Sequence, residues 1–157
     1  LQALESDTGE SRSAALGEIS TEGSAVSALV VLFRASELVM MQDPAAASDV
    51  LAALIGQESI SGDYSDLALF KQLLLEGSGL DASARRSGFE QLSAAGNPLR
   101  LLAQEQLALL DLQENDETAA VERLRDLLQD AEMTQNLRQR LGQLMVALGQ
   151  DPNALDG

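Results

Sequence analysis

The chain is predicted to be all-α, a right-handed superhelical stack of short helical hairpins closed by a C-terminal capping helix. Three observations predict it. Apolar residues recur at i, i+3, i+4, i+7 from Ala25 onward, the spacing that lines one face of a helix. Hydrophobic residues make up 45% of the sequence but aromatics only 3%, so the core must be built from Leu, Ala, Val, Ile and Met, which pack helix on helix more readily than they fill a β-sandwich. Polar turns interrupt the pattern at similar intervals, and nothing alternates with period two for long enough to make a strand.

Residues 1–23 form a partial first hairpin or a linker from an upstream anchor, with Ala14, Ala15, Leu16 and Ile19 suggesting a short helix bounded by Gly9 and Gly23. The repeat domain proper is expected over 24–149, with a frayed tail over 150–157. A first clear helix, Ser24 to Gln42, carries Leu29, Leu32, Phe33, Ser36, Val39 and Met40 on one broad face. It ends at Asp43-Pro44, where the carboxylate caps the next helix and Pro at the first helical position lacks only an N–H that would be unpaired anyway. The second helix should run to about Gln57 with Val50, Leu51, Leu54 and Ile55 inward. Ser59 to Asp63 reads as a break. Tyr64 to Glu76 follows with Leu67, Phe70, Leu73 and Leu74, closed by Gly77-Ser78-Gly79. Asp81 starts a helix that buries Phe89 and Leu92 and stops at Gly96. Asn97-Pro98 opens Leu99 to Gln113, Glu114-Asn115-Asp116 turns into Glu117 to Asp130 with its stripe of Ala120, Leu124, Leu127 and Leu128, and Gln135 to Leu148 caps the array before Gly149.

The Ala following each polar turn serves as a repeat marker: Ala14, Ala47, Ala84 and Ala120, separated by 33, 37 and 36 residues. A small residue is needed there because paired helices approach closely. In the last hairpin Leu107 and Ala108, a large and then a small residue, resemble the leading helix of a tetratricopeptide hairpin, a resemblance that implies an aromatic where Asp111 stands. The middle hairpin fits only if its marker slips from Ala84 to Arg85. The runs Ala28 to Ala35, Gly96 to Glu105 and Gln113 to Ala120 resemble the tetratricopeptide-repeat-like domain of bacterial envelope proteins, similar to the alphaproteobacterial branch of the ancillary Sec translocon subunit family. The resemblance covers about Ala14 to Gly149. It implies a non-enzymatic protein-interaction scaffold on the periplasmic face of the inner membrane, held by one N-terminal transmembrane helix and binding translocon components or periplasmic chaperones. The chain begins at Leu1 without a Met, so such an anchor would lie upstream. If Ala14 marks a first hairpin, only Leu1 to Leu4 remain of that hairpin's leading helix, and the surface left open invites either the upstream helix or a second copy of the chain.

The formal charge of −15, with basic residues scattered, opposes binding to nucleic acid phosphate or to anionic lipid. No Cys and no His means no thiolate site, no disulfide and neither the commonest general base nor the commonest metal ligand. Asp126 with Asp130, and Asp111 with Asn115, share helix faces, but nothing in the sequence gives them the apolar pocket that a general acid needs. Asp63, Asp66, Glu114, Asp116 and Glu117 lack the spacing of a calcium loop, and no Gly-rich loop precedes a Lys: the one Lys, Lys71, lies inside a helix. Neither cofactor nor metal is expected, nor a small-molecule substrate. Arg85-Arg86 and Arg138 with Arg140 sit among carboxylates as intramolecular partners, and Met40, Met41, Met133 and Met145 read as core filling. The candidate partner surface is the concave face of the leading helices: Leu29, Leu32 and Ser36 in one hairpin, Leu102, Glu105, Leu109 and Leu112 in another. Its fitting ligand is an apolar helix or extended segment of another protein, unless the chain's own end helices cover it. A cytosolic helical adaptor or holdase-like chaperone is the second function class the same groove serves.

Overall fold

The computed structural model describes residues 8–18 and 25–152, and among these it holds eight α-helices, one short 3-10 turn and no strand. The helices are α1 (Gly9–Gly17), α2 (Ala25–Met40), α3 (Pro44–Ala52), α4 (Gly62–Glu76), α5 (Ala82–Leu92), α6 (Arg100–Gln113), α7 (Glu117–Gln129) and α8 (Gln135–Ala147), with the 3-10 turn over Gly77–Gly79. They fall into two compact units, one ending at Gly88 and the other beginning at Phe89.

In the first unit α1 packs on α2, α2 on α3 and α3 on α4. Thr8 caps α1 by accepting from the Ser11 N–H. The expected marker Ala14 is exposed and Ser13 and Leu16 face inward, so the first marker is corrected by one residue. Ile19, Glu22, Ser24 and Leu1 to Leu4 lie outside the described residues, as does most of the 150–157 tail.

The inward face of α2 also needs correction. Ala28, Leu32, Ala35 and Leu38 are buried, whereas Leu29, Phe33, Ser36, Val39 and Met40 are exposed. Helix α2 is apolar around most of its circumference, so periodicity does not decide which face is covered. The small residues decide it, because Ala28 and Ala35 belong to the core shared with Ala47, Leu51 and Leu54 of the following segment. Helix α3 stops earlier than expected: the Leu54 N–H bonds to the Leu51 carbonyl at 2.9 Å, tightening the last turn, and Gly56 has φ +78. The break before α4 is anchored by Ile60, which is buried in the same core. Ser48, buried on α3, donates to the Glu76 carboxylate of α4, and Gln72 Nε2 donates to both. At the end of this unit Gly88 rather than Ala84 marks the close approach, since a Cβ built on Gly88 would lie 2.7 Å from Leu73 Cδ1 while Ala84 is exposed.

In the second unit α6 packs on α7 and α7 on α8 around Ala108, Val121, Leu124, Leu127, Leu137, Leu141 and Met145. Met145 is core, as expected, but Met40 and Met41 are exposed. Phe89 and Leu92 of α5 are buried, also as expected.

A shift of 73 residues superimposes the local register of the two units. Asp43 and Asp116 both cap helices, accepting at 3.0 Å from the N–H groups of Ala46 and Ala119. The residues before them, Gln42 and Asn115, have φ of 62 and 63, and the cap N–H groups return to the carbonyls of Leu38 and Asp111 at 2.9 Å. The same shift carries Ala47 to Ala120, Leu51 to Leu124 and Leu54 to Leu127, none more than 1% exposed. It also carries Ser61, before α4, to Thr134, the cap of α8. The chain therefore writes a helix, tight turn, helix, looser turn, helix pattern twice.

Candidate functional site

Helices α2 and α4 flank a groove of about 290 Å³ floored by Leu51 of α3. Ala35, Ser36 and Val39 line it from α2, and Lys71, Leu74 and Leu75 from α4. Val39 and Leu74 are 42% and 47% exposed, so the walls are apolar and open. Beside it, the outward ridge of α2 continues through Phe33, Leu29, Val26 and Met40. No other helix among the described residues leaves so many large apolar side chains uncovered.

The cap at Asp43 and the Ala-rich side of α2 fix this geometry. Because Ala28 and Ala35 face inward, the larger Leu29, Phe33 and Val39 must face out. Ser36 closes its own hydrogen bond, donating to the Leu32 carbonyl at 3.0 Å. Lys71 makes no hydrogen bond or ion pair among the described residues. By contrast, Arg12 on α1 is held by Glu37 at 2.8 Å.

The expected surface residues separate. Leu29 and Ser36 are exposed along the α2 ridge, but Leu32 is core at 8% exposure and leaves the candidate surface. In the second unit Leu102, Leu109 and Leu112 are half-buried. Glu105 is not an open contact: Arg140 of α8 grips it through two bonds, Nε to Oε1 at 3.0 Å and Nη2 to Oε2 at 2.6 Å. Those hydrogen bonds raise the Arg140 pKa above its ordinary value, against a smaller opposing effect of burial. Leu102 instead borders a separate pocket at the start of α6, beside Arg100, Glu132 and Thr134. There Arg100 holds Asp130 and Glu132, both at 2.8 Å. The hydrogen bond from Arg100, then that from the Glu132 N–H, holds the Asp130 carboxyl below the ordinary aspartate value.

Lys71, Leu74 and Val39 line the groove and Phe33 stands on the ridge beside it; none was among the expected surface residues. The signal for the α4 pair was its position as the next leading helix after α3. It was hidden by the Gly77–Gly79 insertion, which spoils the register of the middle hairpin.

Asp126 is exposed, and Asp130, its neighbour one turn on, is engaged by Arg100. Among the described residues no group of three or more acidic side chains is gathered to hold a metal ion, and no helix is long and apolar enough to cross a membrane. Searches against protein-family models, curated proteins and solved structures give no match to this chain, so its reading rests on the geometry above.

Proposed function

We propose that the chain is a non-enzymatic protein-interaction scaffold and that the groove between α2 and α4 receives an apolar segment of a partner protein. The uncovered apolar ridge of α2 carries this reading, since monomers rarely leave such a contiguous surface without use. The doubled helical-hairpin register supports the finer view, a right-handed tetratricopeptide-like array, which small-angle scattering of the chain tests. The resemblance to the Sec-associated envelope family supports a membrane-anchored module facing the periplasm, with translocon components or chaperones as partners. Fractionation of the full-length protein tests that placement, and recovery in the cytosol would sink it.

The apolar ridge that borders the groove is tested by Phe33→Asp. Phe33 is 52% exposed, so the substitution should change unfolding free energy by no more than roughly 0.5 kcal/mol while partner capture from detergent-solubilised membranes falls at least about ten-fold. Undiminished capture by a stable Phe33→Asp protein would move the partner surface elsewhere.

A further inference from the structure

We propose that the occupant of the α2–α4 groove is an amphipathic helix whose apolar seam carries one acidic side chain, placed against Lys71. The inference rests on the groove being a partner site, as proposed above, and adds the chemistry of the partner.

Spacing along the α2 ridge that borders the groove, and shares Ser36 with its lining, selects a helix for an occupant that rests against both. Val26, Leu29, Phe33, Ser36 and Met40 follow one another at intervals of 3, 4, 3 and 4 residues on the exposed side. At about 1.5 Å per residue they present a knob roughly every 5 Å along a ridge of about 21 Å, the repeat of a partner helix with the same seam. An extended segment shows same-face side chains about 6.6–7 Å apart and loses register within two contacts.

Charge selects the acidic residue. Lys71 is the chain's only Lys and has no partner among the described residues, in a sequence with 25 acidic side chains. Arg12, Arg100, Arg123 and Arg140 are each already held by a carboxylate. An apolar occupant covering Lys71 would strip water from an ammonium and leave it uncompensated; a carboxylate in the occupant removes that penalty. A second copy packed ridge to ridge through α2 does not supply one from that helix. The only acidic residue of α2 is Glu37, held by Arg12 at 2.8 Å, and self-association sets one chain of charge −15 against another.

The test uses the whole chain and three labelled, N-acetylated, Lys-free amphipathic helical peptides with Leu at 3–4 spacing, differing only in Glu, Gln or Arg at the central seam position. Fluorescence anisotropy should show the Glu peptide binding about five-fold tighter than the Gln peptide and the Arg peptide weakest. Lys71→Gln should erase the Glu preference and leave Gln-peptide affinity unchanged, while Phe33→Asp should weaken all three. A carbodiimide should join the Glu peptide to Lys71. Equal affinities for Glu and Gln, or a Glu preference that survives Lys71→Gln, overturns the assignment of Lys71 while keeping the groove. No binding by any peptide, or a dimer in sedimentation that Phe33→Asp disperses and peptides do not, overturns the groove reading itself.

Discussion

Asp111 is 3% exposed at the end of α6 and accepts from Arg123 Nε of α7 at 3.0 Å. Shifted by 73 residues, these positions are Leu38 and Val50 in the first unit, where both belong to or border the apolar core. One register site is thus filled by an ion pair in one hairpin and by hydrocarbon in the other. Removing only the cation should be costly, because the carboxylate stays buried: Arg123→Ala is expected to destabilise by roughly 2–4 kcal/mol in urea unfolding. Replacing both, as Asp111→Leu with Arg123→Val, should restore most of that loss. The Arg100–Asp130 pair predicts a different readout. Asp130 titrates below its ordinary value of 3.8 when folded, so its contribution is present above that value and fades as pH falls through the lower folded one. Arg100 stays charged throughout. The urea midpoint of the parent should exceed that of Asp130→Asn at pH 5–7, and the gap should close below about pH 4. A gap that persists at pH 2 would mean the difference is not ionic.

At the scale of elements, the helices were legible and the orientation of one was not. The cap at Asp116, positive-φ turns at Gly96 and Gly149, and apolar spacing located the ends of α6, α7 and α8 within a residue or so. Helix α2 defeated the same method because it has two apolar faces, and only the positions of Ala28 and Ala35 show which one α3 covers. The candidate surface followed that ambiguity: Leu29 and Ser36 are exposed, Leu32 is not, and Lys71 was set aside because a lone cation inside a helix carries no signal until α2 is seen beside it. Glu105 was unreadable for another reason. Its partner, Arg140, is 35 residues away, and pairings of that range belong to packing. The hairpin register itself is testable at Ala120, which is fully buried: Ala120→Leu should overpack the α6–α7 crossing and destabilise by roughly 1–3 kcal/mol. An unchanged melting temperature would mean that α7 is not held at that residue.

For the whole molecule the net charge of −15 is the dominant long-range term. Acidic side chains outnumber basic ones 25 to 10, so repulsion among carboxylates acts through solvent across the chain. Raising salt from about 10 mM to about 300 mM should therefore raise the melting temperature by a few degrees, because screening shortens that repulsion more than it weakens the few pairs. A fall instead would show that Arg12–Glu37, Arg100–Asp130 and Arg140–Glu105 outweigh it. The doubled register has a further consequence at this scale, for the route by which the chain finds its fold. Two hairpins with the same caps, the same turn conformation and matching Ala and Leu positions invite a domain-swapped or crossed intermediate, in which α2 closes on α7 or α6 on α3. Either error is penalised at one site: the first sets Arg123 against Leu38, the second sets Asp111 against Val50 in place of Arg123. The Asp111–Arg123 pair is therefore expected to penalise the wrong assembly more than it stabilises the finished structure. The Asp111→Leu, Arg123→Val chain, expected to recover most of its parent's equilibrium stability, should refold from urea with a larger slow or aggregated fraction.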